Sequence, residues 1–191
     1  MSPPVPPVSS RTLLAIGARR AVAGVPNAPE LVDRLRRRNA EGEGFVTLFD
    51  ARAIGGERHL LSAWAHLGRS RSRSESRLRD RGAEFVLYVA GDDQLPRALA
   101  KVGVGPTTES FVLVAERPRS LPELLTAFGL VEDSTAYPRA VSAETLERLG
   151  VGAEERQVVP ESSWEGLVLE RVAFVDLAPA KGGAPPPRKT S

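Results

Sequence analysis

A chain of 191 residues, 41% of them hydrophobic, has enough apolar surface to bury one sizeable core, so one domain is expected. The formal charge is only +2, yet Lys101, Lys181 and Lys189 are the sole lysines, so the basic side chains are almost all arginine. Cysteine is absent, which excludes a disulfide framework and a thiolate metal site and favours an intracellular protein. There is no run of about eighteen apolar residues and no leader-like start, so a soluble cytoplasmic protein with no membrane association is expected.

Residues 1–9 are proline-rich and residues 179–191 are proline- and glycine-rich, and both read as disordered tails flanking a globular domain over 10–178. Thr12-Leu-Leu-Ala-Ile16 reads as a buried strand. Asn27, Pro29 and Glu30 together predict a helix start, followed by Leu31, Val32 and Leu35 on one face. That helix is expected to end in Arg36-Arg37-Arg38, cations at the negative end of the dipole. Phe45–Phe49 is rich in β-formers and predicts a second strand. Asp50 is expected to cap a helix bearing Leu60, Leu61, Trp64 and Leu67, and a further helix is expected from about Ser76 to Ala90, stopped by Gly91. Leu95–Val102 predicts a short helix ending at Gly103, and Phe111–Ala115 a third strand. The last third reads as helical. Capping boxes at Ser120–Glu123 and Ser162–Glu165 open two of its helices, and Ser142–Leu149 forms another, closed by Gly150. The fold class expected is α+β, a small mixed or antiparallel sheet of about three or four strands packed with a larger set of helices.

The chemistry is bounded mostly by elimination. No phosphate-cradling glycine loop ends in Lys-Ser or Lys-Thr, and no Gly-x-Ser-x-Gly elbow presents a serine nucleophile. Gly103-Val-Gly105 precedes a strand rather than following one and reads as a turn. His59 and His66 lie seven apart on one helix, without the further ligands that a metal requires. No catalytic residue, cofactor or metal is expected. One rival reading is a stand-alone enzyme using Asp92, Asp93 and His59.

The positive signal is the stretch from Arg69 to Arg81. Arg69, Arg71, Arg73, Arg77, Arg79 and Arg81 are opposed there only by Glu75 and Asp80. Such a connection between helices makes a local positive field suited to a phosphate backbone. Trp64 and Tyr88 flank it and would stack on bases if exposed; the competing reading makes the segment a solvated loop and both aromatics core. The segment from Trp164 to Val175 is apolar at most positions, as for a helix that is fully buried or shared with a partner.

A set of short pieces carries a family resemblance. They are Leu48-Phe-Asp-Ala51, Ile54-Gly55, His59-Leu-Leu-Ser-Ala63, Glu84-Phe-Val-Leu-Tyr-Val-Ala-Gly91, Gln94-Leu95, Ala98-Leu99, Val102-Gly-Val104, Leu149-Gly-Val151 and Leu167-Val-Leu-Glu-Arg-Val-Ala-Phe-Val-Asp-Leu177. In order and spacing, over about residues 10 to 178, this set resembles the kinase-binding subunit of the KEOPS complex. That is the family of the human PRPK-binding protein, and the archaeal members are the most similar. Where archaeal relatives often have an arginine before the glutamine, this chain has Asp93, with Arg97 one turn later as a possible substitute.

The resemblance implies a non-catalytic subunit of an assembly that forms N6-threonylcarbamoyladenosine in tRNA. Its direct partner would be the kinase-like ATPase subunit; the catalytic and dimerisation subunits would be indirect partners. It also implies recruitment of tRNA through the 3′ CCA end. On that basis the candidate RNA contacts are Arg58, Arg69, Arg71, Arg73, Arg77 and Arg81, with Trp64 for stacking. The helix from Trp164 to Val175 is expected to bury one face and to offer another to the kinase-like subunit through Leu167, Val168 and Arg171. A second rival is an adaptor that binds the kinase-like subunit but not RNA.

Overall fold

Phe111-Val-Leu-Val-Ala115 is apolar at every position because both of its faces are covered. In the computed structural model, which describes residues 8–10, 13–21, 28–41, 44–118 and 120–178, all five of these side chains are fully buried. They lie on β4 (Ser110–Glu116), the centre of an antiparallel sheet. β2 (Leu13–Arg20) pairs along one edge of β4, from Leu13 opposite Glu116 to Arg19 opposite Ser110. β3 (Val46–Asp50) pairs along the other, from Val46 opposite Ala115 to Asp50 opposite Phe111. The outer edge of β2 is shared by two short strands, β1 (Val8–Ser10) at its start and β5 (Leu130–Glu132) at its end.

The two-residue period of the strands divides the core in two. Leu13, Ala15, Phe45, Phe49, Val112 and Val114 point to one side. Ile16, Ala18, Val46, Leu48, Phe111, Leu113 and Ala115 point to the other. The first side is covered by α2 (Glu57–Ser72), α3 (Arg81–Ala90), α4 (Leu95–Val102), α6 (Ala143–Arg148) and α8 (Trp164–Leu177), with α7 (Ala153–Gln157) leading into α8. The second side is covered by α1 (Ala28–Glu41) and α5 (Leu121–Phe128). The result is an α+β fold of three layers, helix on sheet on helix. Among the described residues, no helix is long and apolar enough to cross a membrane.

Local sequence explains most of the element ends. Gly91 and Gly129 adopt the left-handed conformation that closes α3 and α5, with φ of 58° and 63°. The Ser120 and Ser142 hydroxyls accept the Glu123 and Thr145 N–H groups at the starts of α5 and α6. α4 has the expected bounds, and α1 runs three residues beyond Arg38.

Three expectations need correction. Asp50 caps a single 3-10 turn, Ala51–Ala53, rather than the helix after it. Gly55 and Gly56 then redirect the chain, and α2 starts at Glu57. α3 starts at Arg81 rather than near Ser76, because it is the Asp80 carboxylate that accepts the Ala83 N–H. Ser162-Ser-Trp-Glu165 forms no capping box. A 3-10 turn over Glu161–Ser163 runs directly into α8, and Ser163 makes no capping bond.

The sheet has five strands where three or four were expected, since β1 and β5 are only three residues long. β1 takes up the last positions of the tail expected over 1–9. The rest of that tail, the Asn27 cap and the tail over 179–191 lie outside the described residues.

Candidate partner and nucleic-acid interfaces

The arginine segment is organised by a buried acid. Glu84, on the inner face of α3, is fully buried and accepts from the Ser70 hydroxyl and the Arg77 backbone N–H, both at 3.0 Å. Arg71 pairs with the same carboxylate at 2.9 Å and also donates to the Leu78 and Arg79 carbonyls. Arg77 sends its guanidinium to the carbonyls of Val175 and Ala178, at the C-terminal end of α8. Arg81 pairs at 3.0 Å with buried Glu116 and lies 5.6 Å over the ring of Trp64.

Three of the six candidate arginines therefore hold the 73–80 connection to the body of the protein. Arg58 is exposed but paired with Glu165. Arg69 and Arg73 are exposed and form no ion pair among the described residues; Arg79, in the same stretch, is exposed too. Sequence reasoning treated all six positions alike because the balancing acids, Glu84 and Glu116, are remote in sequence or hidden inside a helix.

The aromatics belong to the packing. Tyr88 is fully buried and donates its hydroxyl to Asp176 at 2.8 Å. Trp64 is half-buried, edge-on to Phe85 with centroids 6.4 Å apart and 6.2 Å from Phe45. With Arg81 over its ring, Trp64 is part of an aromatic cluster and not an open stacking platform.

α8 turns a different face outward from the one expected. Val168 is 0% exposed and Leu167 7%, and together with Val172 and Val175 they form the buried stripe against α2 and α3. As contacts for a partner these two residues are corrected to core positions: they touch the fold from inside. Arg171 is half-buried, pairs with Glu155 and stacks 5.5 Å over the ring of Phe174. Glu170, Phe174 and Leu177 are among the outward residues, with Phe174 48% and Leu177 77% exposed. Their i, i+4 and i+7 spacing places them on one face. The sequence hid this face because α8 is apolar nearly all round, leaving no periodic contrast to distinguish buried from open sides.

The groups offered for an enzyme are otherwise engaged. His59 is fully buried; its Nδ1 accepts from the Gly55 N–H at 3.0 Å and its Nε2–H donates to the Val89 carbonyl at 2.8 Å. Burial pushes its pKa down to about 4, against the pull of the Val89 carbonyl. His66 bonds to Asp176 through Nδ1 at 2.6 Å. Burial alone would raise the pKa of Asp92, but Arg97, the Gln94 N–H and Lys101 hold it down at about 2. Arg97 also pairs with Asp93 at 3.0 Å. An Asp so strongly held as an anion is a poor proton donor near neutrality. Among the described residues, no group of three or more His, Asp or Glu side chains is arranged to hold a metal ion.

No protein-family model matches this sequence, and no curated protein matches it.

Proposed function

We propose that this protein is a non-catalytic, KEOPS-type subunit. It docks a small kinase-like ATPase through the outward face of α8 and helps that assembly recruit tRNA by its 3′ CCA end for threonylcarbamoyl transfer. The observation that carries this reading is the meeting of the resemblance-bearing segments in one body. Ile54-Gly55, His59–Ala63, Glu84–Gly91 and Leu167–Leu177 are dispersed along the chain. Yet the His59 ring bonds Gly55 on one side and Val89 on the other, while Val168, Val172 and Val175 share one core with Leu60, Ala63 and Phe85. The segments that resemble the family are thus mutually supporting.

Partner docking falls to Phe174 and Leu177, with Arg171 fixed beside them by its stacking on Phe174. Large apolar side chains left open beside an ordered arginine are typical anchors of a protein interface. RNA contact from the arginine segment falls to Arg69 and Arg73, whose forks are open to phosphate oxygens. A second reading, an adaptor for the kinase-like subunit without RNA binding, is favoured by one observation: Arg71, Arg77 and Arg81 are held by internal partners.

Two measurements test the proposal. Phe174→Asp with Leu177→Asp should abolish pull-down of the kinase-like ATPase subunit while leaving the melting temperature nearly unchanged, because both side chains are open to solvent. Retained pull-down would sink the docking face. Binding of the purified protein to intact tRNA and to tRNA trimmed of CCA, across a salt series, tests the other half. Loss on trimming supports recruitment by the 3′ end; equal absence of binding leaves only the adaptor.

A further inference from the structure

A second basic surface lies on the opposite side of the sheet. Arg34, Arg37 and Arg38 follow an i, i+3, i+4 pattern on α1 and so share one face. With Ala127 and Phe128 at the end of α5, they line a groove of about 440 Å3. Among the described residues, no carboxylate lines it. Asp33, one of three acids on α1, leans toward Arg36 at 3.8 Å. Arg34 is oriented by donating to the Ala127 carbonyl at 2.7 Å. Arg37 is exposed and Arg38 half-buried. The contrast with the 73–80 connection is direct: there Arg71 and Arg81 are neutralised by buried acids and Arg77 is held by carbonyls, and here the guanidinium groups border a concave surface.

We infer that this α1–α5 groove is a phosphate-binding site for an RNA backbone, a second point of attachment in addition to Arg69 and Arg73. The inference rests on the proposed function for the identity of the polyanion. Guanidinium forks on a common face suit successive phosphate groups, each of which takes a bidentate pair of hydrogen bonds. An anionic membrane is the poorer match. Amphipathic membrane surfaces add exposed apolar anchors to their cations. The large exposed hydrophobic side chains among the described residues are Leu99, Val131, Val158, Phe174 and Leu177, and none of them lies on α1 or α5.

The test compares three full-length proteins for binding to whole tRNA from 50 to 300 mM salt: the wild type, Arg37→Gln with Arg38→Gln, and Arg69→Gln with Arg73→Gln. Arg34 is left in place because its bond to α5 is structural, and matching circular dichroism and melting temperature establish that each variant is folded. The α1 variant should lose on the order of tenfold in affinity at 0.1 M salt, and its log–log salt slope should fall by about two units, one for each lost phosphate contact. A folded α1 variant with the wild-type slope overturns this inference, and if the Arg69/Arg73 variant is weakened in the same experiment the proposed function still stands. A wild type that binds no tRNA overturns both. Binding of the wild type to phosphatidylserine vesicles, lost in the α1 variant while tRNA binding is retained, would also overturn the RNA site.

Discussion

His59 makes this fold acid-sensitive in a defined pH window. Both ring nitrogens are used, Nδ1 as acceptor from Gly55 and Nε2–H as donor to Val89, so the buried ring fits as the neutral Nε2–H tautomer. A proton on Nδ1 would set two N–H groups against each other inside the core. Burial pushes the native pKa down from 6.5 to about 4, against the pull of the Val89 carbonyl. Above the ordinary value neither state is protonated, and the buried neutral ring imposes no penalty. As the pH falls through 6.5, the unfolded chain takes up a proton that the native protein refuses, and stability drops by up to about 1.4 kcal/mol per pH unit. The loss levels off once the native ring also protonates, near pH 4, after a total of about 3 kcal/mol.

Urea unfolding midpoints at half-unit steps from pH 7.5 to 4 read this directly. His59→Gln is less stable at pH 7.5 than the wild type but should have a flatter profile between 6.5 and 4.5. If the wild type and His59→Gln lose stability in parallel through that window, the buried imidazole is not the source and the reasoning fails.

Two further predictions concern the ends of helices. Gly91→Ala should cost about 3 kcal/mol, read as a fall in melting temperature, because φ is 58° and an added Cβ would lie 2.7 Å from the Arg171 Cβ on α8. A variant as stable as the wild type would mean that α3 and α8 are not so closely apposed. Arg77→Ala should cost about 2 kcal/mol by removing a charged donor from the Val175 and Ala178 carbonyls. Hydrogen-exchange mass spectrometry should show faster exchange confined to the last turn of α8 and the 73–80 connection, and uniform acceleration across the fold would refute the assignment.

Sequence reading succeeded where a single residue type has a single local use. Leu95–Val102 was legible at both ends, Gly91 stops its helix as glycines do, and Ser120 caps as serines do. β4 was legible as an unbroken apolar run. Reading failed where the deciding partner is remote in the chain. Asp50 has the chemistry of a helix cap, but its carboxylate also holds Arg52 and Thr108, and the segment it starts is one turn long. The arginines between 69 and 81 look equivalent until Glu84, Glu116 and the end of α8 are brought beside three of them. Val168 and Phe174 are both apolar residues of one helix, and only the packing of α2 and α3 decides that the first is inside and the second outside. The α1 arginines were read simply as a favourable helix ending, and the groove they share with α5 has no local signature.

The pairing of β2 with β4 also constrains how the chain reaches its native state. Leu13 finds its partner at Glu116, so the central ladder joins segments about one hundred residues apart, a loop whose closure is entropically demanding. β3, placed between them in sequence, pairs with β4 and not with β2. During synthesis both β2 and β3 must wait for β4 before either acquires a neighbour in the middle of the sheet. Helices such as α2 and α3 contact each other early, but the platform on which they rest forms late. The protein should consequently fold in the slow range typical of non-local sheets, milliseconds to seconds, and amino-terminal fragments ending before residue 110 should fail to fold cooperatively.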